Sequence, residues 1–524
     1  MRPRAQALAA FFAGQAGSAL LALVLGVAFI AWYDAALGPS RYPYSGDSAS
    51  YVEMASSLRE TGRPRVTPWD VVRGEPDAVP QPLFPPGFAI AVAAFVPLAG
   101  DARSAALWPG RIAAALLPFL LVVAWRGVAS PPALLFAGLW VLLSPGVRRW
   151  QFIAYSDVTA LALGVVALGI LARALQGPEQ ARARAWLLAG LVAGVAYTVR
   201  NAALALLAAS LAALVYARLR GFTGARPLAL FALGAAVPVG ALNAYNLATF
   251  GTAWPYTMPP SVRPWTLNVR DYAAAQLDEV GVGRLLGASE PGAWALAALA
   301  LLLGVAAWLW WRTRAERGRH LVLSVLGLYA IGGGALLVVS RSRFEWGNVI
   351  DERNVLQLSF ALVLAAVVAL AWVPRTCRRV ALVVLSGFLA LRGIAAIEEA
   401  SMARHSPPEQ WLALDRDAAV MAAVRDLPRE TLIASNTAVL FRIGAGRAVR
   451  QLDVGGADKD FAGSLALLGA AATRGAATFV LVCNEWTWEF SACRTLADGE
   501  PACRRVRPGE PIVALCPVRT ASGT

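Results

Sequence analysis

Along the chain, apolar runs of about twenty residues, the length a bilayer crossing requires, alternate with short polar breaks that carry arginines. They predict about eleven membrane-spanning helices, at roughly 8–32, 104–126, 131–147, 155–175, 186–200, 201–217, 227–250, 292–311, 320–340, 354–372 and 380–397. The fifth and sixth meet in a tight turn at Arg200-Asn201. Phe84 to Gly100 is apolar but short and contains Pro85-Pro86-Gly87, so it reads as an interfacial or re-entrant helix. After Glu398 the pattern changes. Arg416–Leu427 and Gly463–Arg474 carry a helical period, whereas Thr431–Ser435, Ala477–Cys483 and Pro511–Cys516 carry a strand pattern. The expected fold class is a polytopic α-helical membrane protein, residues 1–397, followed by a small α/β domain, residues 398–524.

Composition sharpens this. With 58% hydrophobic and 15% charged residues and a mean hydropathy of +0.55, a soluble globule is excluded. The formal net charge of +14 falls in short clusters between apolar runs, not on one basic face, which excludes nucleic acid as the partner and leaves the membrane lipid. If Phe84–Gly100 does not cross, Arg2, Arg4, Arg126, Arg173, Arg182, Arg184, Arg218, Arg220, Arg226, Arg312, Arg314, Arg317, Arg319, Arg375, Arg378 and Arg379 share one side. The positive-inside rule makes that side the cytoplasm. The N-terminus is then cytoplasmic, and Met1-Arg2-Pro3-Arg4 opens a signal anchor that stays in the cell (inner or plasma) membrane. The segments 33–103 and 251–291 become outer loops, and the C-terminal domain is extracytoplasmic. Cys483, Cys493, Cys503 and Cys516 all lie in that domain, and disulfides there fit an oxidising compartment. Three pairings are open, of which Cys493 with Cys503 and Cys483 with Cys516 is the nested one.

The candidate chemistry sits in the outer loops. Ser48 to Glu60 predicts a short amphipathic helix, with Val52, Met54, Ala55 and Leu58 on its apolar side, ending at Thr61-Gly62. Asp47 and Ser48 stand at its start, where a capping residue is expected. Asp157 marks the outer end of the fourth span, where the helix dipole also favours a carboxylate, and Arg353 lies just outside the tenth. Arg111 and Arg200 lie near spans where a charge needs a partner, and Arg341 and Arg343 are alternative cations in the same outer region. The two histidines, His320 and His405, stand far apart and near no serine motif, which argues against a Ser/His/Asp site or a histidine metal site. Gly444-Ala445-Gly446 lacks the glycine spacing and strand-to-helix context of a nucleotide fingerprint and reads as a turn. Trp308-Leu309-Trp310-Trp311 reads as an interface anchor. Trp254, Tyr256 and Trp265 offer either anchoring or stacking surfaces.

The order of several short segments resembles the GT-C class of polyprenol-phosphate-sugar-dependent glycosyltransferases, in particular protein O-mannosyltransferases and the lipid A aminoarabinose transferase. They are Gly46-Asp47-Ser48-Ala49-Ser50-Tyr51 with Leu58-Arg59-Glu60-Thr61-Gly62, Phe84-Pro85-Pro86-Gly87-Phe88, Ala105 to Leu117 around Arg111, and Tyr155-Ser156-Asp157. Ala189-Gly190-Leu191-Val192-Ala193-Gly194 with Thr198-Val199-Arg200-Asn201, Asn243-Ala244-Tyr245-Asn246 with Phe250-Gly251, and Asp351-Glu352-Arg353-Asn354 complete the series. The resemblance implies inverting transfer of a hexosyl or pentosyl group from a polyprenyl-phosphate donor to an acceptor glycan, lipid or protein. It implies Asp47 as catalytic base, Asp157 as a second carboxylate or acceptor residue, and Arg353, Arg111 and Arg200 as donor phosphate ligands. Many members carry Asp-Glu where this chain has Asp47-Ser48, so one carboxylate that a metal-dependent version would use is missing. A divalent metal is possible on the family pattern, and no cofactor is firmly implied. A transporter or flippase of lipid-linked saccharide, or a noncatalytic cell-envelope assembly component, are the competing expectations; no internal repeat of the transporter kind is visible.

Overall fold

The computed structural model describes residues 14–37, 44–67, 78–177, 183–256, 258, 260–280, 304, 308, 310–312, 314, 316–344, 350–370, 375–405, 417–429, 431–435, 437–451, 479–484, 503–506 and 513–518. Among them, seven helices are long and apolar enough to cross a membrane: Gln15–Leu37, Ala102–Ala124, Asp157–Gln176, Asn201–Leu219, Ala225–Phe250, Arg317–Arg343 and Glu352–Ala369. Gly87–Ala99, Pro131–Leu142 and Ala183–Val199 are shorter apolar helices. Arg375–His405 is one helix of 31 residues, extending past both ends of the expected 380–397 span. The expected 292–311 span lies mostly outside the described residues, and Gly463–Arg474 lies wholly outside them.

Several boundaries move for reasons written in local chemistry. The expected 131–147 span divides because Ser144 accepts a hydrogen bond from the Val147 N–H and Pro145 follows it, which starts a new helix, Pro145–Trp150. What remains, Pro131–Leu142, has 12 residues, about 18 Å at 1.5 Å per residue, short of a bilayer core. Arg200 adopts an extended backbone, φ −152° and ψ 125°, between Ala183–Val199 and the 3-10 turn Asn201–Ala203, which realises the expected turn there. The segment 251–291, expected to be an outer loop, holds a helix among its described residues, Trp265–Val280. The first-loop helix runs Gly46–Thr61, two residues earlier than expected, with Ser45 as N-cap and Gly62 closing it at φ +73°. Asp47 therefore stands in the first helical turn and is not the cap.

The residues group into two units. One holds Met1–Ala36, Pro82–Phe88 and Trp108–Met402; the other holds Leu37–Gln81, Ala89–Leu107 and Ala403–Thr524. In the first unit Asp157–Gln176 is the inner helix, with 72% of its apolar window buried against 22% for Ala225–Phe250. The latter helix leaves Leu233, Val237 and Leu247 exposed, the surface a lipid-facing helix presents. Ala183–Val199 and Ala225–Phe250 approach closely through small residues: a Cβ on Gly190 would stand 2.0 Å from the Phe231 carbonyl oxygen, and one on Gly234 2.1 Å from that of Leu187.

The second unit combines the first-loop helix and a two-stranded hairpin, β1 (Arg65–Val66) and β2 (Val79–Pro80), with the C-terminal sheet. That sheet contains β3 (Leu432–Ser435), β4 (Val449–Gln451), β5 (Phe479–Asn484), β6 (Arg504–Arg505) and β7 (Val513–Val518), in the order β4-β3-β5-β7-β6. β4, β3 and β5 are parallel, while β7 and β6 are added antiparallel. The helices Ala418–Arg425 and Ala438–Gly444 accompany it, and Gly446 at φ +63° makes the expected turn. Of the three cysteine pairings left open by the sequence, the nested one is excluded: Cys503 bonds Cys516. The antiparallel register places Arg504 opposite Leu515, so the residues flanking that pair, Cys503 and Cys516, face one another across the hairpin. Cys493 lies outside the described residues.

Candidate functional site

Asp157 begins its helix with Ser156 as N-cap, and its carboxylate is buried. Two arginines from other elements converge on it. Arg200, placed by the break between two helices, brings Nη2 to 2.8 Å from Asp157 Oδ1. Arg353, in the first turn of Glu352–Ala369, donates from Nε to Asp157 Oδ2 at 3.0 Å. Both guanidiniums are about one-sixth exposed, at 16% and 15%, so the cluster is partly desolvated and its charges interact strongly. The Arg353 contact is a hydrogen bond that uses one of the five N–H groups a guanidinium carries, whereas Arg200 meets Asp157 Oδ1 as an ion pair without hydrogen-bond geometry. Arg353 also lies over the Tyr155 ring at 3.9 Å and the Trp150 ring at 5.6 Å, and those two rings stack at 5.4 Å. The two acidic residues beside Arg353 in sequence have partners of their own. Asp351 is the N-cap, joined to Asn354 in a reciprocal capping box, and Glu352 pairs with Arg149.

The six-residue helix Pro145–Trp150 organises this cluster. Arg149 reaches Glu352, Trp150 lies under Arg353, and Arg148 pairs with Glu399 at 3.5 Å, which also accepts a 2.6 Å hydrogen bond from the Tyr33 hydroxyl. Glu279, at the end of Trp265–Val280, accepts the Gly146 N–H at 2.8 Å. A Cβ on Gly146 would stand 2.9 Å from Glu279 Oε2 and 3.0 Å from Leu356 Cδ1, so the approach depends on glycine. Burial pushes Glu279 up to about 7, while Arg392, the Ser144 hydroxyl and the Gly146 N–H pull against that shift. Arg392 donates to the Trp140 carbonyl at 2.6 Å and to the Glu279 carbonyl, with its guanidinium over the Trp140 ring.

Of the five residues that the sequence marks, the structure brings three together: Asp157, Arg200 and Arg353. Arg111 pairs instead with Asp34 at 2.9 Å and lies 5.9 Å from the Phe152 ring centre. Asp47 belongs to the other unit. Arg341 is buried and donates to Ser261 Oγ and the Phe344 carbonyl, a role in holding the loop. Glu279, Trp150 and Tyr155 were not legible as site residues. Only the proline-led turn Ser144-Pro145-Gly146 could have marked the helix that carries Trp150, and no local pattern ties that helix to Glu279 on Trp265–Val280. Among the described residues no three His, Cys, Asp or Glu side chains converge as a metal-holding group.

No family model matches the chain, and no curated protein matches it. Solved structures do. The structure of ArnT from Cupriavidus metallidurans bound to undecaprenyl phosphate superimposes with a TM-score of 0.58 at 16% identity, covering 94% of this chain and 97% of that one. The Archaeoglobus fulgidus oligosaccharyltransferase, in its complex with Zn and sulfate, gives 0.54 at 14% identity over 92% of this chain and 70% of that one. The archaeal oligosaccharyltransferase AglB from Archaeoglobus fulgidus, in complex with an inhibitory peptide and a dolichol-phosphate, gives 0.53 at 13% identity over 92% of this chain and 71% of that one. Two GT-C glycosyltransferases thus match nearly the whole chain, and at these identities what they establish is architecture: the chain is a polytopic membrane protein with the GT-C fold.

Proposed function

We propose that the protein is a glycosyltransferase that moves a sugar from a polyprenyl-phosphate donor to an extracytoplasmic acceptor, a glycan, lipid or protein. The observation that carries this reading is the convergence of Arg200 and Arg353 on Asp157 within a fold shared with a structure bound to undecaprenyl phosphate. Two guanidiniums held by one buried carboxylate form a rigid cationic pair, and forked N–H donors suit phosphate oxygens.

In this reading Asp47 takes the proton of the acceptor nucleophile. The nucleophile attacks the anomeric carbon, the bond from that carbon to the phosphate oxygen breaks, and the configuration inverts. The electron pair leaves with the polyprenyl phosphate, whose growing charge Arg200 and Arg353 stabilise. Asp157 keeps the arginines in place; with each oxygen in contact with a guanidinium, it is a poor candidate for the base. The Trp150 and Tyr155 rings support the Arg353 guanidinium. The side of reaction is extracytoplasmic, as the arginine distribution implies.

The test is transfer of labelled sugar from a panel of polyprenyl-phosphate sugars in membranes containing the protein. Wild type should transfer from at least one, and Arg200→Ala with Arg353→Ala should abolish it at matched protein level. Normal transfer by that double variant would sink the phosphate assignment.

A further inference from the structure

The first-loop helix Gly46–Thr61 has 16 residues, near the length at which an isolated helix is marginal, so its orientation has to come from contacts. Glu53, on that helix, supplies two within its own loop: Oε2 accepts the Thr67 N–H at 2.8 Å, and Oε1 accepts the Thr67 hydroxyl at 3.1 Å. Its third partner comes from the other end of the chain. Arg442, on Ala438–Gly444, brings Nε to 3.7 Å from Glu53 Oε1, with an Arg442 side chain that is fully enclosed. The same Nε donates to the carbonyl of Val449, the first residue of β4. The ion pair therefore connects β1, through Thr67, with the edge of the C-terminal sheet. Burial pushes Glu53 above its usual range, and Arg442 leads the groups that pull it back.

We infer that the C-terminal α/β region is a positioning element for the Gly46–Thr61 helix, and that Arg442 is the positioning residue which, through Glu53, fixes where Asp47 stands. This rests on the reading of Asp47 as base. It gives the tail a task inside the protein, in place of an independent binding module. Removing either partner leaves a buried charge without its counterpart, so the helix and not the sheet should yield, because the sheet keeps its ladder and the Cys503–Cys516 bond.

The experiment compares full-length Arg442→Gln, Arg442→Lys, Glu53→Gln and the Glu53→Gln/Arg442→Gln pair by amide hydrogen exchange and by sugar transfer. Exchange over 46–61 should rise at least tenfold in Arg442→Gln, less in Arg442→Lys, and no further in the double variant than in the worse single. Turnover should fall about tenfold, with the apparent KM for the lipid donor within twofold. Exchange over 432–435 and 479–484 reports whether the sheet is folded; if Arg442→Gln disrupts it, Glu53→Gln, which keeps the Arg442 bond to Val449, decides. Unchanged exchange over 46–61 in a folded variant, effects that multiply in the double variant, or raised exchange with normal turnover would each overturn the inference. A wild type that transfers no sugar would sink the base assignment, while the exchange data would still decide the tether.

Discussion

Asp47 and Asp157 carry nearly the same local signature, a carboxylate in the first turn of a helix close behind a serine N-cap, yet their surroundings differ in kind. Asp157 is buried, with each oxygen in contact with an arginine from another element. Asp47 lies in the first turn of a polar loop helix in the other unit. A carboxylate with both oxygens committed holds cations in place, whereas a base must present an oxygen to its substrate. On the proposed reading one signature serves two tasks, and what sets Asp157 apart is a pair of arginines far away in the chain.

The largest effect expected is on Asp47. Asp47→Asn should lower turnover by roughly two to four orders of magnitude with the protein still folded and donor binding retained, the range for loss of a general base. Steady-state transfer in membranes, with protein level matched by blot, checks this; near-normal turnover would leave both carboxylates structural and remove the contrast. Asp157→Asn should do the reverse, weakening undecaprenyl-phosphate binding while the pH profile of turnover stays put. Arg353→Ala should weaken that binding about ten- to a hundredfold, the equivalent of a charge-assisted hydrogen bond of about 1.5–3 kcal/mol. Arg353→Lys should recover only part of it, since an ammonium cannot fork. Titration of detergent-solubilised protein with undecaprenyl phosphate measures all three.

A smaller effect should come from beneath the arginine cluster. Gly146→Ala forces a methyl group into the Glu279 carboxylate and Leu356 and should cost about 1–3 kcal/mol, as overpacking does, visible as a lower thermal midpoint. Glu279 also makes stability depend on pH. Its folded value, about 7, lies above its ordinary 4.5, so its contribution is complete below 4.5 and is lost as pH rises through 7. The thermal midpoint should fall between pH 5 and 8, and Glu279→Gln should flatten that slope; an unchanged slope would mean that other groups cause it. The smallest effect concerns topology. A cysteine placed at Glu316 should react with an impermeant label only after permeabilisation if the positive-inside reading of the arginines around it holds. Reaction in intact cells would reverse the assignment of sides.

Much of the fold was legible because a bilayer demands long apolar runs, and such runs are visible without tertiary information. The 225–250 and 157–176 helices were found almost to the residue, as was β3, whose hydrophobic pattern is local. Trp265–Val280 was missed because its polar composition resembles a loop, and Pro131–Leu142 was overextended because the Ser144-Pro145 helix start was read as part of an apolar run. The sequence alone determined the membrane class, the helical scaffold, the arginine asymmetry and the candidate residues, since each follows from composition or spacing over a few turns. Tertiary structure alone decided the partners: that Arg353 and Arg200 pair with Asp157, that Arg111 joins Asp34, that Cys503 bonds Cys516, and that Glu279 and Arg442 reach across to distant segments. An ion pair or a disulfide depends on distances of a few ångströms between side chains, and those distances are set by how helices and strands pack, which one-dimensional periodicity does not encode.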